Sequence, residues 1–291
     1  MISGKKLNSI QKDIIMEDVM TYEFITKNGM PMIQISAINN TGIAEGYCST
    51  RNGGTSKGEW GSLNCSIYKP LDIENSRKDF RLFCSAINVD PNKVITNRLI
   101  AGSNIVRTVT EADIIDIYNE PIAPRADGLI TQSKEITLYM YSADCAIIQL
   151  VDTKTESIGM LHAGWKGTLN GIISNTVNAM HDAFGADPSN LIAVICPSIG
   201  KCCFEVGNDV AVQFKNAGLG DFISDKYEKP HIDLFGANKE MLIRAGLKEQ
   251  NISVIDLCTF CHSDLLHSYR RGPIKDGKHL NGMNGMFLRL I

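Results

Sequence analysis

The stretch from Ile136 to Ile195 limits the possible folds more than any other part of this chain. Three apolar runs of strand length come first: Ile136–Tyr141, Ala146–Val151 and Ser157–Leu161. From Trp165 to Phe184 the apolar residues Leu169, Ile172, Ile173, Val177, Met180 and Ala183 recur at helical period, and Gly185 supplies a helix stop. A fourth strand-length run, Leu191–Ile195, follows. Elsewhere, Phe24–Thr26 and Met32–Ser36 flank the hairpin signal Asn28-Gly29. Ser76–Ala86 reads as a helix, and Val94–Ile100 and Ile105–Val109 read as strands. Helices are expected at Asn208–Phe214, with Asn208 as a cap, and at Leu234–Ala245; strands are expected at Val254–Leu257 and Met286–Leu290. This order predicts an α/β (α+β) fold: mixed β-sheets with helices packed against them, not an all-parallel doubly wound sheet.

Composition narrows the class. A chain of 291 residues suits one large domain or two small ones, and it can bury a sizeable core without disulfides or metal. No Pro/Ser-rich linker, charge run or repeat marks a boundary, so residues 21–291 are expected to form a single domain and residues 1–20 an N-terminal extension. A net charge of −3 argues against a nucleic-acid binder. No run of about 18 apolar residues is present to span a membrane, and the first 20 residues lack the apolar core of a signal peptide. A cytosolic location is therefore expected, and the nine cysteines, an odd number, are expected to be thiols or metal ligands, not a disulfide framework.

The chemistry concentrates in Ser142-Ala143-Asp144-Cys145 and His162-Ala163-Gly164-Trp165-Lys166-Gly167. Cys145 opens one expected strand and His162 closes the next. Antiparallel pairing through a turn near Asp152–Glu156 would bring both side chains to one end of the sheet. A thiolate beside an imidazole suits either zinc or nucleophilic catalysis. The helix after His162 offers free N–H groups to an anion such as phosphate, and Gly164 and Gly167 allow close approach of a ligand.

Six motifs occur in order along the chain: Thr50-Arg51-Asn52-Gly53-Gly54; Ala126-Asp127-Gly128-Leu129-Ile130-Thr131; the Cys145 and His162 stretches; Pro197-Ser198-Ile199-Gly200 through Cys202, Cys203, Phe204 and Glu205 to Val206; and Cys258-Thr259-Phe260-Cys261 with Ser268-Tyr269-Arg270-Arg271. The set resembles the laccase-domain (YfiH-like) family, whose members are named multicopper polyphenol oxidases, peptidoglycan editing factors and purine nucleoside phosphorylases. The resemblance implies a single domain binding one zinc ion through His, Cys and His, with Cys145 and His162 matching the second and third ligands. It also implies phosphorolysis of adenosine, inosine or methylthioadenosine, and deamination of adenosine. The implied partners are a small-molecule nucleoside and phosphate. Cys145, His162 and Asp144 are the implied catalytic residues, and Arg51, Lys166, Arg270 and Arg271 the cations for substrate and phosphate. Trp165 and Tyr269 are candidates to stack on a purine.

One position departs from the family. Its first metal histidine is expected in the stretch Leu99-Ile100-Ala101-Gly102, where Ala101 stands instead, and all six histidines lie at or after His162. Zinc is therefore expected to be weakened or lost, unless Cys48, Cys202, Cys203, Cys258, Cys261 or His262 replaces the ligand. Copper is disfavoured, because multicopper electron transfer needs several histidine-rich sites. Cys258-Thr259-Phe260-Cys261-His262 also fits a haem-attachment pattern, but local packing is the preferred reading. Adjacent Cys202 and Cys203 are expected to diverge. The sequence leaves the oligomeric state open.

Overall fold

The central runs form strands covered on both faces. The computed structural model describes residues 20–68, 73–118 and 123–291; of the expected N-terminal extension, all but Met20 lies outside the described residues. In chain order the elements are β1 (Glu23–Lys27), β2 (Met30–Gln34), α1 (Ser36–Asn39), β3 (Ala44–Ser49), α2 (Ile73–Ala86), β4 (Val94–Ile95), β5 (Val106–Thr108), β6 (Gly128–Thr131), β7 (Thr137–Ser142), β8 (Ala146–Asp152) and β9 (Ser157–Ala163). There follow α3 (Trp165–Leu169), α4 (Ile172–Phe184), β10 (Ile192–Ile195), α5 (Asn208–Asn216), β11 (Ile223–Ser224), β12 (His231–Ile232), α6 (Leu234–Arg244), β13 (Ile252–Val254), β14 (Ile274–Lys275), β15 (Lys278–His279) and β16 (Asn284–Leu290).

Two six-stranded sheets dominate, ordered β1-β2-β3-β16-β7-β4 and β13-β10-β8-β9-β6-β5. Both are mixed: β4–β7, β5–β6 and β10–β13 are parallel, and the other pairs are antiparallel. Side chains alternate across a strand, which explains the layering. Along β8, Ile147 and Val151 meet Leu138, Met140 and Leu288 of the other sheet. Ala146, Ile148 and Leu150 instead face a core containing Ile173, Val177 and Met180 of α4 and Leu242 of α6. On the far side, Tyr47, Tyr139 and Phe287 pack under Phe80 and Phe83 of α2. The order is helix, sheet, sheet, helices. Every residue of β8 and β9 is buried, hence their largely apolar sequence. Each aliphatic side chain so buried contributes about 1.5–3 kcal/mol.

Four expectations need correction. The segment Trp165–Phe184 is two helices, because Gly171 adopts φ +83° and restarts the chain as the N-cap of α4. The apolar period runs straight through the break, since Leu169, Ile172 and Ile173 pack on the same core. Asn208 is not a cap; Gly207 takes that position without a side-chain bond. The strand expected at Val254–Leu257 pairs earlier, at Ile252–Val254, and the one expected at Val94–Ile100 pairs only at Val94–Ile95. No helix among the described residues is long and apolar enough to cross a membrane.

Candidate functional site

The β8–β9 hairpin places the chemistry. Its register sets Ile147 opposite His162 and Ala146 opposite Ala163. Cys145 lies two residues before Ile147, so alternation puts its side chain on the face of Ile147 and His162, at the end of the second sheet. Gly164 then falls beside Cys145. A Cβ at Gly164 would lie 2.8 Å from Cys145 Sγ and 3.4 Å from His162 Nε2, and one at Gly167 would lie 2.8 Å from the His162 carbonyl oxygen. Both glycines are thus required by the Cys–His pair before any ligand arrives. A cavity of about 190 Å³ opens here, lined by Ala101, Cys145, His162, Gly164, Trp165, Lys166 and Gly167.

Asp127 braces this pocket, a role that its place in the 126–131 motif does not reveal. Its Oδ1 accepts the N–H groups of Ile100 (3.0 Å) and Ala101 (3.2 Å), and its Oδ2 those of Gly102 (3.0 Å) and Ser103 (2.7 Å). The same carboxylate meets His162 Nδ1 at 3.4 Å, and the Asp127 carbonyl accepts the His162 backbone N–H at 2.7 Å. Burial works against the charged carboxylate, but the His162 ring and the N–H groups of Gly102 and Ser103 hold Asp127 well below the usual carboxylate range. Burial also opposes charge on His162. The Cys145 sulfur, followed by Asp127, overcomes it and pushes His162 up to about 10. Because Nδ1 is taken by Asp127, Nε2 is the nitrogen that faces Cys145 and the cavity.

Ala101 stands in the pocket where the family resemblance places its first metal histidine. Its backbone holds φ +60°, a left-handed conformation in which histidine is enriched over most residues. The side chains present do not make up the implied three-ligand zinc site. His162 Nε2 and Cys145 Sγ are two donors, the third direction ends in a methyl group, and Cys48, Cys202, Cys203, Cys258, Cys261 and His262 do not line the cavity.

The other expected site residues divide sharply. Lys166 and Trp165 line the pocket, with Lys166 Nζ 5.3 Å from the Trp165 ring centroid. The three arginines direct donors to backbone carbonyls: Arg51 to Gly61 and Ser263, Arg270 to Glu205, and Arg271 to Thr259, Phe260 and Leu266. Asp144, beside Cys145 and at φ +84°, accepts the Thr259 hydroxyl (2.6 Å) and the Arg270 N–H (2.6 Å). Both oxygens therefore tie the 259–270 loop to the start of β8. Tyr269 packs against His279, ring centroids 4.0 Å apart and planes tilted by 33°. Helix α3 is only five residues long, so it supplies a single turn of N–H groups.

Over residues 45–284 the sequence matches the family described as multi-copper polyphenol oxidoreductase laccase. The chain belongs to this family. It is 29% identical over 248 residues to the purine nucleoside phosphorylase of Bacteroides thetaiotaomicron, covering 81% of this chain and 90% of that one. It is 35% identical over 260 residues to adenosine deaminase RL5 of an unknown prokaryotic organism, covering 87% and 99%. The crystal structure of Bacillus licheniformis hypothetical protein YfiH superposes with a TM-score of 0.83 at 25% identity, covering 94% of this chain and all of that one.

For a family described by copper, the histidines here are widely separated in role. His162 serves the pocket, whereas His181, His231, His262, His267 and His279 each pair with a different backbone carbonyl. Cys202 and Cys203, expected to diverge, converge instead with Cys258 and Cys261. Among the described residues this is the one group of three or more metal-ligating side chains gathered together.

Proposed function

We propose that this protein is a purine-nucleoside-processing enzyme, cleaving adenosine, inosine or methylthioadenosine with phosphate and deaminating adenosine, and that its pocket binds zinc weakly because Ala101 replaces a ligand. The observation that carries the reading is His162, buried, fixed through Nδ1 by Asp127 and set against Cys145 in a cavity with Lys166 at its rim. The names of the relatives supply the substrate class. In phosphorolysis a phosphate oxygen bonds to C1′ of the ribose, the C1′–N9 bond breaks, and its electron pair leaves with the purine, which takes up a proton. In the metal-free pocket His162, kept protonated by Cys145 and Asp127, is the proton donor within reach of the cavity; a zinc ion held on its Nε2 would replace that proton and would supply Lewis acidity instead. Lys166 supplies a point charge for phosphate, and Trp165 offers a face to the base. Asp144, with both oxygens engaged, acts as a positioning residue for Cys145. We place this activity in the cytosol, where nine free thiols stay reduced.

The test is incubation with inosine or adenosine, with and without phosphate and added zinc, reading free base by chromatography. Phosphate-dependent base release is expected, low without added zinc and higher in Ala101→His. Nucleoside binding without release in every arm would overturn the catalytic reading and leave a purine-binding protein.

A further inference from the structure

A second candidate metal centre lies outside the pocket. Strands β10 and β13 run parallel, Ile195 beside Val254, and the pairing resumes at a parallel bridge between Ser198 and Cys258. Two parallel strands leave a sheet at the same end, so the segments that follow them meet. The turn after β10 brings Cys202 and Cys203, through hydrogen bonds from the Cys203 and Phe204 N–H groups to the Gly200 carbonyl, both 2.9 Å. The turn after β13 brings Cys258 and Cys261, closed by the His262 N–H to the Cys258 carbonyl at 3.0 Å. The four sulfur atoms all lie within 4.8 Å of one another, with Cys203–Cys261 at 3.4 Å and Cys202–Cys261 at 3.6 Å.

These separations fit a single ion between the four thiolates. A tetrahedral ion with metal–sulfur bonds of about 2.3 Å holds its sulfurs about 3.8 Å apart. Iron–sulfur clusters place several metal atoms between the thiolates and need a wider cage. A disulfide would pull a pair to about 2.05 Å, well inside the separations seen here. The surroundings also suit thiolates. The Gly200 N–H donates to Cys258 Sγ at 3.3 Å. A Cβ at Gly200 would sit 3.2 Å from Cys258 Cβ and 3.4 Å from Cys202 Sγ, so glycine is what lets the two turns close. The adjoining groove of about 520 Å³ carries both signs of charge, Lys201 and Lys239 with Asp233 and Asp256, and Cys202 and Cys261 are exposed to it, which gives an ion a way in.

We propose that Cys202, Cys203, Cys258 and Cys261 form a mononuclear tetrathiolate site for zinc. Four protein ligands leave no open position, so the role is structural. The ion would clasp the 198–206 segment to the 258–271 segment. The latter holds Asp144 through Thr259 and Arg270, and Arg270 in turn holds the Glu205 carbonyl. The site is independent of the purine reading and of Ala101.

Zinc content, X-ray absorption at the zinc edge and thiol alkylation test the proposal on the full chain purified under reducing conditions. About one zinc per chain is expected, with four sulfur neighbours near about 2.3 Å, retained in Cys145→Ala. It should be lost in Cys261→Ser and in Cys203→Ser. In the wild type, four thiols should be slow to alkylate until a chelator is added, and the chelator should lower Tm by about 5 °C or more. A wild-type protein that takes up no zinc when offered it, carries iron instead, or shows a Cys202, Cys203, Cys258 or Cys261 disulfide with no bound ion would overturn the proposal. So would zinc lost in Cys145→Ala but kept in Cys261→Ser. The absorption spectrum and alkylation pattern need no variant, so a misfolded substitution leaves the proposal testable.

Discussion

The pocket and the cysteine cluster are two answers to one problem, and each has what the other lacks. At the pocket, Asp127 accepts four backbone N–H groups and meets His162, yet only Cys145 and His162 remain to face a metal. At the cluster, four donors converge on two short turns joined chiefly by local backbone bonds, and two of them are exposed. Bracing and donor number are therefore separable properties. The brace at 100–103 consists of main-chain N–H groups, so it does not depend on which side chain occupies position 101. An alanine there removes a ligand without disturbing the loop that would carry one.

The largest effect is expected from Asp127→Ala, which takes the acceptor from four part-buried N–H groups and the partner from buried His162. Each unsatisfied group costs about 1–3 kcal/mol, so unfolding free energy should fall by about 3–5 kcal/mol in a denaturant titration. A loss below about 1 kcal/mol would mean the 100–103 loop is held by something else. Next comes Ala101→His, which adds a donor at a φ that histidine tolerates. Zinc affinity at the pocket should rise by more than the ~10–100-fold that supporting residues alone are worth, as read by chelator competition. An unchanged affinity would mean that a side chain at position 101 cannot reach the Cys145–His162 pair.

The pH response of the pocket is a smaller effect. In metal-free protein His162 is raised to about 10, so its stabilising contribution is complete below about pH 6.5 and fades as pH rises from there through 10. Asp127 is depressed, so its contribution is present above about pH 4 and is lost as pH falls below that. The difference in urea midpoint between wild type and His162→Gln should therefore shrink between about pH 6.5 and 10. A difference that grows over that window would contradict the assignment. The smallest effect is expected for exposed Lys166→Ala. The KM for phosphate should rise about 3–10-fold with stability nearly unchanged, as for other exposed charges.

The scaffold was largely legible because β8 and β9 are buried on both faces and their hairpin register fixes Cys145 beside His162. The reach of the site was not. Asp127 acts through backbone N–H groups some distance along the chain, which no side-chain pattern announces. Arg51, Arg270 and Arg271 are candidate phosphate ligands in sequence; the structure adds that each also donates to backbone carbonyls, which are the same in every residue and so leave no sequence signal. The break at Gly171 is hidden because both helices keep their apolar residues on one core. The cysteine cluster depends on a parallel pairing between β10 and β13, strands far apart in sequence, whereas the sequence offers only two short cysteine pairs.

Zinc counted by site compares the two regions most directly: metal content with zinc-edge absorption, on wild type and Ala101→His dialysed against limiting zinc. The expected result is about one all-sulfur zinc per chain in wild type, and a second ion with nitrogen and sulfur neighbours only in Ala101→His. A wild-type zinc held by mixed nitrogen and sulfur ligands, and kept when Cys203 and Cys261 are both replaced by serine, would contradict it.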